Sequence, residues 1–296
     1  MKNEKRKVAV IGALNVDIGG RADEVFTPGD SIPGQVSSTL GGVGWNIARN
    51  CALLGAGSAF CSVLGLDEHT NSILAQAEEM QVSLEYCRWE EQPNNRYLYI
   101  TDHQGDMVAA VNDMRLCARV DSGFVEELLP KLQGFGAVVC DANLPAETLR
   151  LLADGVNAPL VADGVSAVKC VRLRENLHRL HVLKVNLMEA RTLAGETDAR
   201  ACVRALLEKG VKKVVVSMGA EGALCGEGDR VFCVPSQAGN IVDTTGAGDS
   251  VTAALAVGVS AGMDFEESVR LGMKAAAITM ASTRAVAPEL AELTLV

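Results

Sequence analysis

The stretch Val182-Leu183-Lys184-Val185-Asn186-Leu187-Met188-Glu189 reads as a short aliphatic strand over 182–185 that runs directly into a helical turn. Similar runs stand at 8–11, 59–64, 137–140, 160–162 and 214–217, most of them followed by helical periodicity. Strands alternating with helices imply βαβ units. The expected fold is therefore α/β, a three-layer α/β/α sandwich around a mainly parallel sheet. Two segments break the rhythm. Residues 14–40 are rich in Gly, Pro, Ser and Asp, and 96–111 shows two strand-like runs around a polar turn at Gly105. Together they predict a small β-sheet lid, formed by about 14–40 and 94–115, on a single domain spanning 1–296.

Composition narrows the function. Of 296 residues 48% are hydrophobic but only 4% aromatic, which suits aliphatic helices laid on a parallel sheet. A formal charge of −10 supplies no broad basic surface, so nucleic acid is excluded as the main partner. No apolar run approaches the ~18 residues of a membrane span, and 8–11 is too short for a signal-peptide core. The nine cysteines form no C-x-x-C pair and mostly sit in apolar runs, as reduced thiols of a cytoplasmic protein do. His69, His103, His178 and His181 read as surface residues, with no third ligand beside the helically spaced pair.

The chemistry concentrates at expected strand ends. Thr244-Thr245-Gly246-Ala247-Gly248-Asp249 joins a turn to the apolar helix expected from Ser250. Glycines there let successive amides converge on an anion, and Asp249 is either a helix cap or a base for an alcohol. Asn15 and Asp17, just after the first strand, can offer an amide and a carboxylate to neighbouring hydroxyls, or simply make a turn. Gly41-Gly42-Val43-Gly44-Trp45-Asn46 permits close backbone approach, with Asn46 as a hydroxyl ligand or a cap. Asn186 and Glu189 lie on one face of a first helical turn, suited to hydrated Mg²⁺ or to an ordinary helix start. Ser217-Met218-Gly219-Ala220-Glu221-Gly222 is a nucleotide approach or a β-turn. No Walker loop, dinucleotide fingerprint or protein-kinase signature accompanies them.

In that order, these motifs resemble the ribokinase-like (PfkB) carbohydrate kinases along essentially the whole chain, most specifically at 243–249. The resemblance implies ATP-dependent phosphorylation of a sugar or nucleoside alcohol, with a β lid often used in dimerisation. It implies Asp249 as general base and an anion hole from the Gly246, Ala247 and Gly248 amides. Asn15, Asp17, Gly42 and Asn46 would hold the ribose, while Asn143 would face the acceptor. Asn186 and Glu189 would organise Mg²⁺, and Ser217, Gly219, Gly222 and Thr244 would line the nucleotide site. Asp243 and Thr245 match a monovalent-cation site, K⁺ in kind, completed by carbonyls after Ala281. The chain departs from the pattern at Lys274-Ala275-Ala276, where many relatives carry Asn. Within the family, 15–34 and 107–114 are most similar to the branch that phosphorylates pseudouridine, which implies Asn112 as a contact to the uracil face or ribose. The alternatives are another acceptor of the ribose, inosine, adenosine or fructose type, and a non-catalytic sugar-binding regulator. Lys169 reads as a contact to phosphate or, better, as a surface residue.

Overall fold

The computed structural model describes residues 7–293. In chain order, β1 (Lys7–Ile11) is followed by a hairpin of β2 (Asn15–Ala22) and β3 (Gly34–Gly41), then α1 (Val43–Leu53) and β4 (Gly57–Cys61). Next come β5 (Val63–Gly65), α2 (Thr70–Glu79), β6 (Val82–Ser83), β7 (Arg88–Glu90) and a second hairpin of β8 (Asn95–Thr101) and β9 (Met107–Asp113). After α3 (Ser122–Leu128) run β10 (Ala137–Asp141), α4 (Ala146–Gly155), β11 (Leu160–Asp163) and β12 (Val182–Asn186). The chain then forms α5 (Leu187–Ala194), α6 (Ala199–Glu208), β13 (Lys213–Ser217), the hairpin β14 (Ala223–Glu227) and β15 (Arg230–Val234), α7 (Ala247–Ala261) and α8 (Phe265–Met280).

The expected aliphatic strands form the middle of one sheet, in the order β15-β14-β13-β12-β11-β10-β1-β4-β6. It is parallel except at β13–β14 and β14–β15. One face carries α1, α2, α7 and α8, and the other α3 to α6, each over its own aliphatic core. This is the three-layer sandwich that the alternation implies. From β1 the chain goes out to β4 and β6, then returns to β10 on the other side, which makes β1/β10 the switch point where open α/β sheets bind ligands.

Two features depart from the sequence reading. The 59–64 run is broken at Ser62, whose hydroxyl donates to the Gly12 carbonyl at 2.7 Å, so β4 stays in the main sheet while β5 pairs with β7. The β14–β15 hairpin was not anticipated, because Gly226, Gly228 and the surrounding charges interrupt its apolar pattern. Gly226 is needed there: a Cβ would sit 2.4 Å from Val203 of α6.

A four-stranded sheet, β3-β2-β8-β9, is built from the two atypical segments. Asp17 pairs with Thr39 and Tyr97, and Tyr97 with Asn112. Side chains alternate along strands, so Asn15, Asp17, Tyr97, Tyr99 and Asn112 share one face. The opposite face presents Val36, Leu98 and Val111, which are 79%, 46% and 68% exposed.

Candidate active site

Three consecutive strands of the main sheet carry charged residues near their carboxyl ends. Asp141 of β10 is in register with Asp163 of β11, which is in register with Lys184 of β12. Register neighbours in a parallel sheet share a face, here the face covered by α7. All three are buried. Lys184 Nζ donates to Asp163 Oδ2 at 3.2 Å, and Thr252 of α7 donates its hydroxyl to the same oxygen at 2.5 Å. Burial alone would lower the Lys184 pKa, yet Asp163, Asp249 and Glu189 carry it upward. The ammonium therefore stays charged. Asp141 is pushed up to about 6, chiefly by burial, and its Oδ2 has no hydrogen-bond partner among the described residues.

The start of α7 faces this row. Gly246 is its N-cap in the left-handed region (φ 80°), with no side-chain cap; the Ala247 N–H donates to the Thr244 carbonyl at 3.3 Å, while the Gly248 amide is left for a ligand. Gly246 also lies so close to the Ala285 carbonyl that no Cβ would fit. A Cβ on Gly248 would fall 2.6 Å from Lys184 Nζ, so the buried ammonium lies directly behind the expected anion hole. Asp249 is in the first turn of α7 and keeps partial access to solvent. Its carboxyl is pushed up to about 7, first by desolvation and then by Asp163, against the opposing pull of Asn46 and Lys184. Such a carboxyl can exchange a proton near neutrality.

Asn46 donates Nδ2 to Asp249 Oδ2 at 2.8 Å, which joins the glycine-rich loop before α1 to the acid of α7. Gly42 is the N-cap of α1 at φ 102°. Asp17 is half-buried against Gly41, and burial pushes its carboxyl up to about 6 while Arg49 pulls it down. Asn15 Oδ1 is buried without a hydrogen-bond partner among the described residues. Asn15, Asp17, Gly42, Asn46 and Asp249 thus form one cluster where β2, β3, α1 and α7 begin or end. Asn112 is exposed, two strands from Asp17 on the same face of the small sheet.

Asn143 belongs to the loop after β10, its N–H donating to Asp141 Oδ1 at 2.7 Å. Lys169 departs from its reading as a surface residue: it is half-buried and donates Nζ to Asn143 Oδ1 at 2.6 Å. At the end of β12, Asn186 and Glu189 form a reciprocal capping box at the start of α5. Asn186 Oδ1 accepts from the Glu189 N–H, and Glu189 Oε2 from the Asn186 N–H, both at 2.9 Å. A cavity of about 850 Å³ is lined by Asn186, Met188, Arg191, Ser217, Met218 and Gly219, among others. Gly222 is not in that lining. It closes the turn, with its Cα packed against the Val234 carbonyl. Asp243 Oδ1 accepts both the N–H and the hydroxyl of Thr245 at 2.8 Å, and these two residues and Thr244 are exposed. His69 and His181 are half-buried rather than on the surface. No group of three His, Cys, Asp or Glu able to hold a metal occurs among the described residues.

Reading the sequence alone assigned no role to Asp163, Lys184, Arg49, Tyr97 or Tyr99. The available signal was a charged or amide residue ending successive aliphatic runs, at Asp141, Asp163 and Asn186.

A parallel sheet whose carboxyl edge meets an uncapped, glycine-led helix bearing an acid is the frame of an ATP-dependent carbohydrate or nucleoside kinase. Residues 5–291 match the pfkB family of carbohydrate kinases, and the chain belongs to that family. It is 33% identical to the pseudouridine kinase of Escherichia coli K12, over 97% of this chain and 94% of that one. It is 26% identical to the guanosine-inosine kinase of Exiguobacterium acetylicum, over 94% and 95% of the two chains. The fold superposes on the ribokinase of Thermotoga maritima with a TM-score of 0.87 at 26% identity, covering 96% and 97% of the chains. No helix among the described residues is long and apolar enough to cross a membrane.

Proposed function

We propose that this kinase transfers the γ-phosphoryl group of ATP to the ribose 5′-hydroxyl of pseudouridine, giving pseudouridine 5′-phosphate and ADP. The observation that carries the catalytic part is the Asp249 carboxyl at the uncapped start of α7, tied to Asn46 and backed by Lys184 behind Gly248. Asp249 takes the hydroxyl proton as the O5′–Pγ bond forms and the bond from Pγ to the β-phosphate oxygen breaks. The Gly246, Ala247 and Gly248 amides and the Lys184 ammonium face the charge on the transferring group.

The acceptor lies between Asn15, Asp17, Gly42, Asn46 and Asn143. The unpartnered Asn15 oxygen supports this, because a ribose hydroxyl is a donor it lacks. Tyr97 and Tyr99, stacked with ring centroids 5.6 Å apart on the Asp17 face, suit a planar base beside Asn112. ATP occupies the cavity at Ser217 and Gly219, near Thr244. Asn186 and Glu189 would hold hydrated Mg²⁺ through the lone pairs that their oxygens keep beyond the hydrogen bonds of the capping box, and Glu189 is a buried carboxyl pushed up by desolvation and Asp163, which a cation would relieve. Bound Mg²⁺ would neutralise phosphate charge. Asp243 and Thr245, with the Ala285 carbonyl close to Gly246, form an oxygen-only set suited to K⁺. The apolar outer face of the small sheet suits a second copy, making a homodimer through the lid. The nine free thiols agree with the cytoplasm.

Pseudouridine is favoured over other acceptors by the 33% identity to a pseudouridine kinase. A purine nucleoside is the second reading, supported by the guanosine-inosine kinase relative. An ADP-release assay over pseudouridine, uridine, cytidine, inosine, adenosine, ribose and fructose decides. Preference for pseudouridine over uridine is expected, and turnover of a different acceptor alone removes the substrate assignment.

A further inference from the structure

Arg49 lies in the second turn of α1, buried, and its guanidinium is anchored from three elements. Nη2 donates to Asn46 Oδ1 at 2.6 Å and to the Leu40 carbonyl of β3 at 3.3 Å, and Nη1 to Gln76 Oε1 of α2 at 3.1 Å. Gln76 Oε1 is held in turn by the Trp45 indole N–H at 2.7 Å, and the guanidinium lies 5.6 Å from the Trp45 ring centroid. This arrangement dictates which way the Asn46 amide points. Its oxygen must face the Arg49 donors, which leaves Nδ2 to donate to Asp249. The reversed amide would set NH₂ against N–H at one end and oxygen against carboxylate at the other, losing two charge-assisted hydrogen bonds.

We infer that Arg49 is a positioning residue for the transfer step: through the Asn46 amide it holds the Asp249 carboxylate in the orientation that receives the acceptor proton, and it ties that base to the end of the small sheet at Leu40. The inference rests on the base role proposed for Asp249. Electrostatics agree with the geometry. Burial pushes Arg49 down to about 10, while Asp249 and Asp17 hold it up, so the group is cationic at neutral pH. Asp249 is faced by Asp141 from β10, Asp163 from β11, Lys184 from β12, and Asn46 and Arg49 from α1. Asp249, Asp141 and Asp163 thus share the two cations Arg49 and Lys184 with Asp17 and Glu189, and losing one cation leaves Asp249 easier to protonate.

The test is the pH dependence of kcat in the intact enzyme with its preferred acceptor. Arg49→Met is expected to lower kcat ~10-fold or more at neutral pH. It is also expected to move the acid limb upward by about half a pH unit or more. Arg49→Lys keeps the charge but loses the planar fork, so its acid limb stays in place while kcat falls about 5-fold. A clamp that only joins α1, α2 and β3 moves thermal stability and leaves the acid limb alone. An Arg49→Met enzyme that melts cooperatively with a wild-type acid limb therefore overturns the inference. Should Arg49→Met not fold, Arg49→Lys with wild-type kcat overturns it instead. Failure of the underlying reading shows separately: Asp249→Asn, measured with Arg49 intact, would retain wild-type turnover.

Discussion

The carboxyl edge of the main sheet and the Asp17 face of the small sheet both contribute to the proposed site, yet they are built on opposite plans. The first is a buried row, Asp141, Asp163 and Lys184, whose members are fixed by strand register and by the helix packed over them. The second is half-exposed, with Asn112 and the Tyr97–Tyr99 pair on a sheet whose far side is open. Buried charges strengthen one another and cannot be exchanged singly, whereas a side chain on an exposed strand can be replaced with little effect on folding. On the proposed reading, phosphoryl chemistry would reside in the part of the molecule least able to vary, and acceptor choice in the part most able to.

The sharpest way to break that division is at Asp249. Asp249→Asn keeps an oxygen that can accept from Asn46 but loses the base, so kcat is expected to fall at least ~10²-fold with ligand affinity largely kept. Equal turnover by the variant removes Asp249 from the reaction. The same group predicts a pH effect of definite sign. Its folded pKa, about 7, lies above the ordinary carboxylate value, so the folded protein holds a proton that the unfolded chain releases. Stability from this group is present below the unfolded pKa and is lost as pH rises through about 7, while activity appears over the same interval. Asp249→Asn should accordingly stabilise the fold at pH 8 but not at pH 4, by an amount on the order of 1–2 kcal/mol. Thermal denaturation at the two pH values checks it.

Lys184→Met comes next. It removes the ammonium behind Gly248 and leaves Asp163 without its buried cation. We expect a ~10²-fold loss of kcat and a stability loss of about 3–5 kcal/mol at neutral pH. A variant with normal kcat would show that the ammonium serves packing alone.

These two residues also mark how far one sequence can be read. Asp249 stood out because glycines on either side of Ala247 and an apolar helix after it leave few uses for an acid. Lys184 sat inside an aliphatic run, and its importance depends on which strands flank β12 and in what register, which a linear pattern does not contain. The central strands were legible because parallel strands buried on both faces are continuous apolar runs. The small sheet was legible as strands and a turn. Which residues share the Asp17 face was not, because that depends on the parallel pairing of β2 with β8, 80 residues apart at Asn15 and Asn95. Arg49 gave no signal for the same reason, since its partners Leu40 and Gln76 come from β3 and α2.

Variants of the small sheet sharpen the comparison with smaller effects. Tyr97→Ala and Asn112→Ala lie on the Asp17 face, and each is expected to raise the acceptor KM about 3- to 10-fold with kcat and the KM for ATP nearly unchanged. The expected preference for pseudouridine over uridine should narrow in Asn112→Ala. If kcat falls instead, the inner face takes part in the transfer step and the division between the two regions fails.

The smallest catalytic effect is expected on the outer face. Leu98 and Val111 are register partners, so Leu98→Glu with Val111→Glu places two like charges directly opposite each other on the apolar surface. Within one chain this costs little, because both side chains are exposed already. Across a self-complementary interface each charge meets apolar surface or its own copy, and the penalty is counted twice by symmetry. Sedimentation should therefore show the wild-type chain as a dimer and the double variant as a monomer, with kcat within about 2-fold. A wild-type monomer would remove the dimer. A monomeric variant that loses kcat would mean that the inner face keeps its shape only when the outer face is covered, and the two faces of the small sheet would no longer be separable.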